Sequence, residues 1–259
     1  SAVQACHFGI QFGWLQTLAD GIKLIFKEEL IPANAHKVIF VLAPVITVLP
    51  ALTITAVIPW GGTVTMFGRQ VALGISDINV GMLYITAIAS IAVYGITLAG
   101  WASDNKYAMM GGLRASAQMI SYELALGLAF VGPIMLAGSM SLVDIVRAQQ
   151  GLWYIFLQPA GFAIFFAASI AEVNRAPFDM PEAEQELTAG YHSEYSGMKF
   201  ALFFMAEYIK MIAVAMIGTT LFLGGYLSPL GFLFDLPVVG WIFGGGPHWL
   251  LLKVAVWLF

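Results

Sequence analysis

Residues 38–60 read VIFVLAPVITVLPALTITAVIPW, a stretch without one charged side chain. A run of about 20 apolar residues, wound as a helix, matches the hydrocarbon thickness of a bilayer. In lipid no water is available to the backbone, so such a run must pair its own N–H and C=O groups. Complete segments of the same kind follow at 79–100, 115–137, 152–173 and 198–224. Another begins near His248 and reaches only Phe259, too short to span. Pro44, Pro50 and Pro133 fall inside segments and predict local kinks, tolerated where neighbouring helices satisfy the freed carbonyls. The composition agrees: 60% of residues are apolar and 10% charged, against about a quarter charged in soluble chains. The expected fold is an all-α integral membrane protein with five complete transmembrane helices and a truncated sixth, one polytopic domain over residues 1–259. Internal repeats and low-complexity tracts are not seen.

Several function classes fall away. A net charge of −4 with no Lys/Arg run argues against a nucleic-acid partner. The single cysteine, Cys6, cannot build a disulfide framework, an iron–sulfur site or a zinc site from this chain alone. His7, His36, His192 and His248 lie outside the apolar segments or at their edges, so paired axial ligands for a transmembrane haem are lacking. A phosphate loop, a nucleophile elbow and metal-spaced His/Glu pairs are missing too. Residues 1–13 lack the basic start of a secretory signal. Any redox cofactors must come from partners.

Basic residues orient the chain. With the N-terminal side in the cytoplasm, Lys23, Lys27, Lys37, Lys106, Arg114, Arg175 and Lys199 lie inside, Arg69 and Arg147 lie outside, and Lys210 and Lys253 lie within helices. This satisfies the positive-inside rule. Residues 13–30 form an amphipathic helix, with Leu15, Leu18, Ile22, Ile25 and Phe26 on one face and Gln16, Asp20, Lys23 and Lys27 on the other. It would lie along the cytoplasmic interface, the alternative being a surface helix packed on protein. The Gly-rich loops 61–76 and 224–247 are read as connectors on the outer side.

The carboxylates are more telling. Glu123 lies about two turns inside the third segment, Glu172 at the cytoplasmic end of the fourth, and Glu207 about two and a half turns inside the fifth. A charged side chain near the bilayer centre costs roughly 2.5–3.5 kcal/mol on insertion scales, so it seldom faces lipid. Separate segments thus bring acids into one half of the membrane, which implies a buried polar cluster. The loop 174–197 extends it with Asp179, Glu182, Glu184, Glu186 and Glu194, opposed by Arg175 and Lys199. Burial and like-charge neighbours favour proton uptake near neutrality, as a relay requires. Two bland alternatives stay open. Glu182, Glu184 and Glu186 could form a solvated helix-capping loop, and Lys210, three residues after Glu207, could neutralise it along one helix.

Residues 172–210 read EVNRAPFDMPEAEQELTAGYHSEYSGMKFALFFMAEYIK. This resembles the signature loop and following helix of one membrane-subunit family of NADH:quinone oxidoreductase, respiratory complex I, whose members are called the H subunit or subunit 1. Residues 15–28, LQTLADGIKLIFKE, look like the family's interfacial helix. Residues 100–126, GWASDNKYAMMGGLRASAQMISYELAL, look like one of its loops and the helix after it. These ordered blocks cover about residues 14–224. Family members carry a further N-terminal helix with a Gly-Pro-Asn-Arg stretch, which residues 1–12 do not show, and a further C-terminal helix. The expectation is an incomplete or damaged coding sequence, or a fragment.

The resemblance implies a subunit that forms part of the quinone chamber and the start of a proton path. It places Asp20, Lys23 and Lys27 near the chamber entrance. It sets Arg175, Phe178, Asp179, Glu182, Glu184 and Glu186 in or beside the chamber, the three glutamates also joining the relay. It makes Glu123, Glu172 and Glu207 the buried acids that open the proton path. Quinone is the implied substrate, with FMN and iron–sulfur clusters held by partner subunits and no metal on this chain. Implied partners are peripheral quinone-site subunits, antiporter-like membrane subunits and the lipid bilayer. The implied location is a bacterial inner membrane, or a mitochondrial or chloroplast membrane if organellar. No activity is expected of the isolated chain. The related alternative is the anchor of a hydrogenase-type or ferredoxin-linked complex. A stand-alone transporter would show inverted repeats or matched broken helices, which are not seen. A structural assembly scaffold is the remaining alternative.

Overall fold

The computed structural model describes residues 16–66, 69–175, 178, 190–229 and 245–258. Its helices are α1 (Gln16–Phe26), α2 (Lys37–Thr55), α3 (Gly81–Ala102), α4 (Lys106–Ala137), α5 (Leu142–Ala148), α6 (Tyr154–Leu157), α7 (Pro159–Glu172), α8 (Gly197–Phe222) and α9 (Pro247–Leu258). Of these, α2, α3, α4 and α8 are long and apolar enough to cross a membrane. Contacts join α2 to α3, α3 to α4, α4 to α7, and α8 back to both α2 and α7, so these helices enclose a common interior. Their outward faces carry exposed Leu52, Leu83, Leu124, Leu128 and Met135. Apolar surface so extensive requires an apolar solvent. The chain is an all-α membrane protein.

Three elements differ from expectation. The apolar segment 152–173 is not one helix: α6 ends at Leu157, and α7 restarts at Pro159 after Gln158, at φ −135° and ψ 63°. Proline lacks the N–H an unbroken helix needs, and it restricts the residue before it, yet it suits the first helical position. The segment 115–137 is the inner part of a longer helix, Lys106–Ala137. Asn105 starts that helix by accepting a bond from Tyr107 N at 3.0 Å. Hydropathy marks the lipid-facing depth, and Lys106 and Arg114 beyond it do not interrupt helical pairing. The connector 61–76 holds a hairpin of β1 (Thr63–Met66) and β2 (Arg69–Ala72), antiparallel with Thr63 opposite Ala72.

Glycine lets the helices approach closely. A Cβ at Gly95 on α3 would lie 3.1 Å from the Ala43 carbonyl of α2 and run into the Thr47 side chain. At Gly111 on α4 it would lie 2.7 Å from Gly190 Cα. Two apolar clusters flank the middle of the bundle. One joins Phe130, Phe165 and Phe222 with Trp257 of α9 against it. The other joins Phe40, Met119, Tyr195 and Phe203 at the opposite end. Glu172 and Lys210 lie between them, whereas Lys199 and Lys253, also buried, lie at the two ends of α8.

Candidate functional site

The enclosed interior contains two cavities that share Glu172 and Lys210. One, about 30 Å³, is lined by Thr47, Ala92, Asn174, Tyr191, Glu207 and the shared pair among others. The second, about 40 Å³, adds Thr86, Glu123, Phe130 and Phe165. At roughly 10–15 Å³ per water, each has room for a few molecules. Glu123 from α4, Glu172 from α7 and Glu207 from α8 therefore border one continuous neighbourhood, with Lys210 of α8 between the cavities.

Ion pairs run between elements. Lys210 Nζ lies 2.6 Å from Glu172 Oε1, with the side chains 11% and 4% exposed. Arg175 Nε lies 3.4 Å from Glu207 Oε1 at the more open edge of the site, and its guanidinium stands 5.2 Å from the Tyr208 ring centre. Lys210 and Glu207 thus each form an ion pair with a residue from another part of the bundle, where the sequence left open a pair along one helix. Glu172 Oε2 is buried without a hydrogen-bond partner among the described residues and is available to a cavity water. Ser90 of α3 donates to Glu123 Oε1.

A turn after α7 delivers Arg175. Asn174 adopts the left-handed conformation, φ 53°, which asparagine tolerates better than most residues and which ends helices. Gln118 of α4 pins that turn, its Nε2 lying 3.0 Å from Ala171 O, 3.1 Å from Asn174 Oδ1 and 2.8 Å from Phe178 O. Phe178 meets Tyr122 edge-on at 5.5 Å. Asp179, Glu182, Glu184 and Glu186 lie outside the described residues.

Asp20 and Lys23 on α1 and Lys27 beyond its end are exposed and are not brought into the helix-enclosed interior. Ile22, Ile25 and Phe26 of the same stretch are exposed as well. The chain after α1 is tied to the start of α8: Lys199 Nζ lies 2.8 Å from Glu29 Oε2, and Leu30 N donates to Ser196 Oγ at 3.1 Å. At this end Phe40 stacks on Tyr195 with ring centres 4.1 Å apart, and burial pushes the Tyr195 hydroxyl well above the usual tyrosine range. His192, packed among Tyr191, Phe200, Phe203 and Phe204, has its pKa lowered by burial to about 4 and is neutral at pH 7. Asn105 Nδ2 donates to Glu194 Oε1 at 2.7 Å.

Sequence reasoning passed over Ser90 and Gln118. Each was visible only as a polar residue in a largely apolar stretch, and helical periodicity does not say which neighbouring helix it will face. Among the described residues, no group of three or more His, Cys, Asp or Glu could hold a metal ion.

Comparison with known proteins agrees along nearly the whole chain. The family model described as NADH dehydrogenase matches residues 5–259. The NADH-quinone oxidoreductase H subunit of Protochlamydia amoebophila is 51% identical over 96% of this chain and 72% of the relative. The corresponding H subunit 1 of Geobacter metallireducens is 55% identical over 84% of the chain and 66% of its own length. The H subunit of Thermomicrobium roseum is 49% identical over 96% and 72%.

Proposed function

This chain belongs to the NADH dehydrogenase family, alongside the H subunits of NADH-quinone oxidoreductase, and on that premise we propose that Glu123, Glu172 and Glu207 open the proton path linking quinone reduction to pumping. The chain is a membrane component of an oxidoreductase complex rather than a catalyst by itself. We place it, as one polytopic domain, in a bacterial inner membrane with the Arg175–Lys199 side cytoplasmic. The distribution of its basic residues and the bacterial sources of its relatives support that placement. The neighbouring subunits supply FMN and iron–sulfur clusters. Asp20, Lys23, Lys27, Arg175, Phe178 and Asp179 border the quinone chamber, with Glu182, Glu184 and Glu186 carrying protons between the chamber and the interior.

The observation that carries the proposal is the meeting of Glu123, Glu172 and Glu207 around Lys210 and two water-sized cavities. An ionised carboxylate in an apolar bundle is tolerable only while paired, and it neutralises when its cation leaves. Arg175 begins the chain's path out of the site and holds Glu207 from its more open edge. Charge rearrangement in the chamber that draws Arg175 away leaves Glu207 to take a proton. The Glu172–Lys210 pair and Glu123 then accept or release protons in sequence, through cavity waters. This is coupling through two states of different proton affinity.

The test is the double variant Glu123→Gln and Glu207→Gln in membranes containing the assembled complex. Proton pumping is expected to be lost while NADH oxidation by an artificial acceptor that bypasses quinone persists. Pumping at the wild-type rate in that variant sinks the assignment.

A further inference from the structure

Glu123 has an unusual neighbour. Ser90 Oγ lies within bonding distance of two acceptors: Glu123 Oε1 on α4 and the Thr86 carbonyl of its own helix, the latter at 3.0 Å. A serine hydroxyl has one proton and two lone pairs, so it serves one acceptor at a time. We infer that Ser90 is the positioning residue for the proton on Glu123, turning its hydroxyl between the carboxylate and the Thr86 carbonyl as Glu123 ionises and reprotonates.

The inference rests on the proposed role of Glu123 in the proton path. When Glu123 is ionised, Ser90 donates to it, and the Thr86 carbonyl keeps its ordinary helical N–H. When Glu123 is protonated, its O–H donates to Ser90 Oγ and the serine proton turns to the Thr86 carbonyl. The Ser90 hydroxyl, the Thr86 carbonyl and the Glu123 oxygen facing Ser90 are partnered in both states, and the exchange needs only rotation about one bond. A hydroxyl bonded only to its own helix turn would be an ordinary helical serine. The second acceptor, 33 residues away on the next helix, is what makes this one different.

The surroundings explain what a fixed hydroxyl adds to the cavity waters here. The cavity beside Glu123 is walled by Ile54, Ile85, Leu126, Phe130 and Phe165, and its other charged lining groups are Glu172 and Lys210, already paired with each other. A water needs two to four polar partners to be held in place, and an apolar wall offers few. Ser90 provides a fixed partner on the α3 side.

Three variants in the assembled complex test this: Ser90→Ala, Ser90→Thr and Glu123→Gln. Pumping and the infrared carboxyl bands lost in Glu123→Gln are read in each, with bypass NADH oxidation as the measure of assembly. In Ser90→Ala, pumping is expected to slow roughly tenfold, the effect of losing one hydrogen bond to a charged group. The carboxyl bands assigned to Glu123 should shift to the frequencies of a less strongly bonded group. Ser90→Thr, which keeps the hydroxyl, should restore both rate and bands. Unchanged pumping and bands in Ser90→Ala overturn the inference, provided Glu123→Gln abolishes pumping. Wild-type pumping in Glu123→Gln instead overturns the role of Glu123 itself. A slow Ser90→Ala with unmoved bands also overturns the inference, because it shows a packing defect alone.

Discussion

Two of the buried lysines, Lys210 and Lys253, are held in opposite ways. Lys210, on α8, points a single ammonium at the Glu172 carboxylate of another helix, 2.6 Å away. Lys253, on α9, gives its protons to the carbonyls of Leu223, Gly225 and Leu227 at 2.6, 2.8 and 2.7 Å, with the Trp153 ring centre 4.6 Å away. The carbonyls just past the C-terminus of α8 are a favourable place for a cation, because the helix dipole is negative there and the last carbonyls have no helical N–H partner. These carbonyls cannot change charge, whereas a carboxylate can. Lys253 is therefore a fixed clasp joining α9 to the end of α8, while Lys210 has a partner whose protonation can release it. Burial alone does not distinguish them; the chemistry of the partner does.

The largest expected effect breaks the clasp. Lys253→Met leaves three carbonyls without their donor, and at about 1–3 kcal/mol for each unsatisfied group the loss should be about 5 kcal/mol. Thermal unfolding of the purified protein in detergent measures it. Because the lost partners are backbone atoms, no second side-chain neutralisation should rescue this variant. A loss below about 1 kcal/mol would mean that the clasp does not bear on stability.

Lys210→Met should behave differently. Removing one member of a buried ion pair costs about 3–5 kcal/mol, while replacing both members by neutral groups is often close to neutral. The single variant is expected to lose about 3 kcal/mol, and Lys210→Met with Glu172→Gln should recover most of it. The same unfolding measurements, arranged as a double-mutant cycle, give the coupling directly. Additive losses would show that Lys210 and Glu172 do not act as a pair, and the contrast with Lys253 would collapse.

That contrast also shows how far the sequence could be read. Charge-free stretches such as residues 38–60 announced the helices, since lipid demands apolar surface and internal backbone pairing. Helix ends were less visible: α4 begins at Lys106 because polar residues outside lipid continue a helix as readily as apolar ones do. The break at Pro159 was written in the sequence, but the long apolar run outweighed the proline. Glu123, Glu172 and Glu207 could be picked out as costly acids in separate segments. Their partners could not be chosen, because Lys210 is the basic residue nearest to Glu207 in sequence and yet its ion pair crosses to Glu172. Lys253 carried still less signal: its partners are carbonyls, which every residue has, and they lie 26 to 30 residues away.

The pair of Arg175 and Glu207 is an intermediate case, and its expected effect on stability is the smallest. The Arg175 side chain is 43% exposed, and the distance from Nε to Oε1 is 3.4 Å, longer than a tight charge-assisted bond. Water screens such a pair, and partly exposed ion pairs contribute at most about 1 kcal/mol. Arg175→Gln should therefore lower unfolding stability by less than about 1 kcal/mol, well below the loss for Lys210→Met. In the assembled complex the same substitution removes the cation proposed to leave Glu207 during turnover, so pumping should fall while bypass NADH oxidation persists. A small stability change together with impaired pumping would make this contact a moving part beside the fixed clasp at Lys253. If Arg175→Gln instead costs as much stability as Lys210→Met, the contact is a structural tie, and a different group must set the charge of Glu207.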